Sequence, residues 1–140
     1  MKVTRIDHIG IMVADLEAAI RFYRDTCGLE PGPIESRQQP PIRRCCFQVG
    51  ETELELIEAA DPQQTMIRLL PHQGPGIYHL GLGVEDVDAA AVELGAAGVP
   101  LADGIREGAD MRIQYLHPDA AQGTMIELVT RKRAARGRGC

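Results

Sequence analysis

The chain has 140 residues, 44% hydrophobic and 25% charged, with a formal net charge of -5. That is enough apolar content for one ordinary core, and the acidic balance argues against a nucleic-acid surface. No apolar run reaches the roughly 18 residues needed to cross a bilayer, and the first residues lack a basic-then-apolar leader, so a cytoplasmic protein with no membrane partner is expected.

In chain order, residues 7–13 alternate as a strand does. Ile9, Ile11 and Val13 fall on one face and His8, Gly10 and Met12 on the other. Asp15 then stands where a helix N-cap belongs, and Leu16, Ala19, Ile20 and Tyr23 follow at helical spacing until Gly28 offers a stop. Residues 31–41 contain four prolines and read as a loop of the kind that lines a site. Residues 43–49 and 52–59, joined by Gly50-Glu51, read as a hairpin. Within it, Cys45 and Cys46 point to opposite faces. With Cys27 and Cys140 they make no CxxC pair, so reduced thiols are expected and a disulfide framework or zinc knuckle is not. Residues 60–74 are a proline-containing linker with a helical turn or two around residues 66–70.

The second half repeats the first. At an offset of 71, His8 meets His79, Gly10 meets Gly81, Val13 meets Val84, Asp15 meets Asp86, and Ala18-Ala19 meet Ala89-Ala90. Leu80, Leu82 and Val84 again alternate against His79, Gly81 and Gly83, and Val87, Ala90, Ala91 and Leu94 again have helical spacing up to Gly98. Residues 111–117 and 124–130 form the counterpart of the earlier hairpin, and aligning LELI with IELV pairs Glu55 with Glu127. The domain organisation expected is one domain over residues 1–130, made of modules at 3–59 and 75–130. Residues 131–140, rich in Lys and Arg, read as a disordered basic tail.

Each module thus places one His and one Glu on the face away from its helix. A mid-strand carboxylate on such a face requires a cation or a metal partner. If the two modules pack with these faces together, His8, Glu55, His79 and Glu127 form a donor set suited to one divalent metal, Co, Mn, Ni, Zn or Fe(II). His72 and His117 have no counterpart in the other module and are read as non-ligands.

These residues also carry a family resemblance. RIDHIGIMVADLEAAIRFYRDTCGLE, GPGIYHLGLGVEDVDAA and MRIQYLHPDAAQGTMIELV resemble the vicinal oxygen chelate superfamily, the glyoxalase and bleomycin-resistance fold, and within it methylmalonyl-CoA epimerases most. The resemblance covers residues 3–130. It implies an α+β fold in which two pseudo-symmetric βαβββ modules form a cup-shaped mixed β-sheet around a metal site, with His8, Glu55, His79 and Glu127 as ligands. It also implies a homodimer, an acyl-CoA thioester as substrate, and removal of the proton α to a carbonyl through a metal-stabilised enolate.

Two departures stand out against that pattern. Epimerases commonly have Gln where this chain has Glu55, an added negative charge that suggests tighter metal binding. They also use two carboxylate bases; one corresponds to Glu127, but at the other position this chain has Arg44, which cannot act as a base. Arg44 could instead bind an anionic group of the substrate or stabilise enolate charge, and Glu35 in the proline-rich stretch is a weak substitute for the missing base. A divalent-metal-dependent isomerase with Glu127 and Arg44 as catalytic residues is therefore the leading expectation. The alternatives are a glyoxalase-like lyase or Fe(II) dioxygenase of the same fold, and a non-catalytic protein that binds a small molecule.

Overall fold

The computed structural model describes residues 1–38, 41–60 and 74–132. The expected helical turns at 66–70, His72 and the tail beyond residue 132 lie outside the described residues. The chain builds β1 (Val3–Met12), α1 (Leu16–Arg21), β2 (Glu35–Gln38), β3 (Pro41–Val49) and β4 (Thr52–Ala59), then β5 (Gly76–Val84), α2 (Val87–Ala96), β6 (Leu101–Glu107), β7 (Met111–Leu116) and β8 (Ile126–Arg131). This is the expected α+β arrangement, strand, helix and three strands, twice over. Among the described residues two compact units result, one within His8–Tyr78 and the other made of Met1–Asp7 with residues 79–132.

In the unit His8–Tyr78 the strand order is β2-β3-β4-β1, with β1 parallel to β4 and antiparallel pairing elsewhere. Asp15 caps α1, its Oδ1 accepting from the Ala18 N–H at 2.9 Å, while Glu58 Oε2 accepts from the Leu16 N–H at 2.8 Å. The aliphatic faces of β1 and β4 then meet the helix. Leu16, Ile20, Cys45, Phe47 and Leu56 form the buried cluster, with Ile11, Val13 and Leu54 packed against it. The helix is shorter than its spacing suggested: it widens into a π-helical turn over Phe22–Thr26, which leaves Phe22 exposed and sets Tyr23 against Phe47 at 5.8 Å between ring centres. The proline-rich stretch read as a loop contains β2, an exposed edge strand paired with β3 from Glu35↔Arg44 to Gln38↔Pro41. β2 itself carries no proline, and Pro41 is the first residue of β3, a position where a strand accepts one.

The expectation of reduced thiols holds at Cys27 and Cys45, which are free. It fails at Cys46, which is disulfide-bonded; its side chain leaves β3 on the face opposite buried Cys45 and is only half-buried.

In the other unit the order is β5-β8-β7-β6, with the first residues of β1 beside β5, where Thr4 Oγ1 donates to the Gly83 carbonyl at 3.1 Å. The capping arrangement repeats. Asp86 Oδ1 accepts from the N–H groups of Asp88 and Ala89, and Thr130 Oγ1, at the place Glu58 holds in the first module, accepts from the Val87 N–H at 2.9 Å. Val84, Val87, Ala90, Leu116 and Leu128 form the core beneath α2. β6 went unseen as a strand because Asp103-Gly104 interrupts it; Asp103 has φ 55° and the register shifts between Ala102 and Arg106.

Arg131 is a correction to the expected tail. It is the last residue of β8 and is held by charge: its Nη2 donates to Asp7 Oδ2 at 2.8 Å and its Nη1 to Asp110 Oδ2 at 3.0 Å. Asp7 is buried, 4% exposed, and also accepts from Arg5. Among the described residues no helix is long and apolar enough to cross a membrane.

Candidate functional site

Both His-Glu pairs that the repeat supplies are buried: His8 is 0% exposed, Glu55 6%, His79 3% and Glu127 3%. Their placement follows from the parallel pairing in each module. Gly10 of β1 stands opposite Glu55 of β4, and Gly81 of β5 stands opposite Glu127 of β8. Each histidine lies two residues before that glycine, on the same face. A glycine opposite each glutamate leaves the carboxylate no side chain to compete with from the neighbouring strand, and the aliphatic residues at the alternate positions are committed to the helix side.

In the unit His8–Tyr78, ligand atoms of His8 and Glu55 lie within 4.8 Å of one another. Arg44 shares this face. It is 5% exposed, with Nη1 3.7 Å from Glu55 Oε2. On its other side, Nε and Nη2 donate to Glu35 Oε2 at 3.1 and 2.8 Å. Glu53 is also buried, 8% exposed, and stands opposite His8 in register. The period-2 alternation that places Glu55 on this face places Glu53 there too, and that signal was available in the sequence. Met12 and Ile57 add an apolar patch, with Ile42, Ala59 and Tyr78 packed against them.

In the other unit, His79 Nε2 lies 3.6 Å from Glu127 Oε2. Tyr115 pairs with Glu127 across β7 and β8, and its ring meets His79 edge-on at 6.4 Å between centres. The Arg106 guanidinium sits 5.8 Å from the centre of the same tyrosine ring. Tyr115 and Arg106 were not singled out from sequence, because only the strand register brings them beside the repeated pair. His117 is, as expected, set apart: half-exposed, its Nδ1 accepts from the Asp119 N–H and caps a short 3₁₀ turn.

A second acidic group, Asp15, Glu17 and Glu58, gathers at the start of α1. It is exposed and answered by Arg43, which donates to Glu58 at 3.1 Å and to Glu17 and holds the Glu17 carboxyl below its usual range. This is a capping and ion-pair network.

The sequence profile of the Glyoxalase/Bleomycin resistance protein/Dioxygenase superfamily matches residues 7–115. The chain belongs to that superfamily. Its relatives narrow the comparison. Ethylmalonyl-CoA/methylmalonyl-CoA epimerase of Cereibacter sphaeroides is 31% identical over 128 residues, spanning 89% of this chain and 96% of that protein. The crystal structure of methylmalonyl-CoA epimerase from Mycobacterium tuberculosis superposes with a TM-score of 0.83 at 34% identity, covering 94% of this chain and 91% of that one. A variant of the Streptomyces coelicolor methylmalonyl-CoA epimerase in complex with 2-nitronate-propionyl-CoA gives 0.82 at 35% identity, covering 93% and 99%. Each unit thus buries one imidazole and one carboxylate, donor types that suit a divalent cation.

Proposed function

We propose that this chain is an epimerase of 2-substituted malonyl-type acyl-CoA thioesters, dependent on a divalent metal with His8, Glu55, His79 and Glu127 as its ligands. The observation that carries the reading is the duplicated His-Glu pair, buried in both units and set in the same parallel register, Gly10↔Glu55 and Gly81↔Glu127. It gains support from the epimerases among the chain's relatives.

When bound, the cation supplies Lewis-acid polarisation of the carbonyl next to the carbon that loses its proton. Glu127 takes that proton. Its carboxylate stands beside His79 and next to the Tyr115 ring, a setting that leaves little water to compete for it. Removing a proton from one face of the α carbon and returning one to the other gives the epimer. Arg44 does not serve as the second base; its guanidinium is permanently charged and contributes electrostatically, to the enolate that forms or to an anionic group on the substrate.

The test is incubation of the metal-loaded protein with one epimer of methylmalonyl-CoA in deuterated water. Deuterium enters at the α carbon and the opposite epimer accumulates. With only one carboxylate base in place, exchange is expected to outpace inversion. No deuterium uptake in a protein that holds its metal would refute the reading.

A further inference from the structure

Strand register allows the two modules to be compared position by position. Beside Glu55 in β4, Arg44 of β3 stands opposite Ile57; beside Glu127 in β8, Ile113 of β7 stands opposite Val129. Arg44 therefore occupies in the first module the place that Ile113 holds in the second. One strand further out, Glu35 pairs with Arg44 as Arg106 pairs with Ile113. A guanidinium buried where the repeat has an isoleucine is a large departure, since a buried cation is stable only with partners.

Two of its partners are unequal. Glu35, half-exposed, receives two hydrogen bonds from Arg44; Glu55, buried, receives none from it and lies 3.7 Å from Nη1. The guanidinium is a rigid fork, so the two bonds to Glu35 fix where the third nitrogen sits. Arg44 is thereby held close enough to attract Glu55 without closing on it.

We propose that Arg44 is a built-in counter-cation that competes with a divalent metal for Glu55, and that Glu35 is the positioning residue that holds Arg44 back. The inference rests on Glu55 being a metal ligand. A dication taking up Glu55 meets the repulsion of a buried guanidinium next to it, whereas the exposed Glu35 charge is largely screened. Metal affinity is then set by how far Arg44 is drawn toward Glu35. On this proposal Arg44 offsets the negative charge that Glu55 adds to the donor set, so the affinity is lower than Glu55 alone would give.

The test is titration of Co(II) into the metal-stripped full chain, followed calorimetrically in a non-chelating buffer near neutral pH. Arg44→Gln tightens binding by at least roughly tenfold, the floor set by Coulomb repulsion under water-like screening. Glu35→Gln releases Arg44 toward Glu55 and weakens binding several-fold. The double variant behaves as Arg44→Gln alone, because Glu35 acts through Arg44. Glu35 is half-exposed and its variant keeps the fold, so unchanged affinity there overturns the proposal even if Arg44→Gln misfolds. Single-variant effects that simply multiply in the double variant also overturn it. If the wild-type protein binds no Co(II), or binds it equally well after Glu55→Gln, the metal reading of Glu55 fails and takes this inference with it. An affinity that depends on Glu55 but ignores Arg44 refutes this inference alone.

Discussion

Asp7→Asn tests the buried charge cluster that ends β8. Asp7, 4% exposed, accepts from Arg5 at 3.2 and 2.7 Å and from Arg131 at 3.2, 3.2 and 2.8 Å. Asparagine has the same shape but no charge, and its amide nitrogen turns donors toward a guanidinium. Breaking a buried ion pair by removing one partner costs about 3–5 kcal/mol. Here the Arg5 side chain is 34% exposed and can be rehydrated, and Arg131 keeps Asp110 at 3.0 Å. Both reduce the loss, to about 2–3 kcal/mol, or roughly 6–10 °C in Tm for a domain of this size. Urea unfolding followed by circular dichroism reads it directly. Because Asp7 is buried, 0.5 M salt (about three times the physiological ionic strength) should recover little of the difference. A loss below about 0.5 kcal/mol, the range of ordinary surface substitutions, or one that salt abolishes, would refute the account.

Other outcomes follow from the same geometry. Glu127→Gln should lower α-proton exchange by roughly 10²–10⁴ while the protein stays folded, the range expected for a lost general base. His79→Ala should weaken Co(II) binding by more than the roughly ten- to hundredfold that a partner outside the ligand set costs; an unchanged affinity would remove His79 as a ligand. Leu56→Ala, at a 0% exposed position under α1, should destabilise by about 3–5 kcal/mol in urea unfolding. Cys45 gives a pH signature. Burial pushes its thiol above the ordinary value of 9.0, so its contribution to stability is complete below that pH and is lost as pH rises through the folded-state value. Stability should therefore decline above about pH 9, and Cys45→Ala should flatten that alkaline limb.

The sequence revealed whatever the duplication carried. His8 with His79 and Glu55 with Glu127 were legible because both copies keep them at nearly one offset, and period-2 alternation assigned them a face. Asp15 and Asp86 were legible as caps for the same reason, and both accept from helix N–H groups. What escaped was set by register across strands. Nothing in ESRQ, an exposed stretch among prolines, announces that Glu35 lies opposite Arg44. Nothing in the run of basic residues after residue 130 announces that Arg131 belongs with Asp7, 124 positions earlier. Charged residues report their environment only through partners, and those partners are distant in the chain. Arg44, buried between Glu35 and Glu55, is the clearest case.

The division of β1 bears on how such a duplicated chain can be taken apart. The copies in the sequence part near residue 74, but residues 1–7 belong with the part that begins at His79, and β5 is likewise divided, its first three residues lying with His8–Tyr78. Cutting the chain between the copies would strip each fragment of a strand end that the other carries. The duplication is therefore readable in the text of the chain but is no longer a seam in the folded molecule. A gene fragment coding for either copy alone should yield a polypeptide that folds poorly until its complement is supplied.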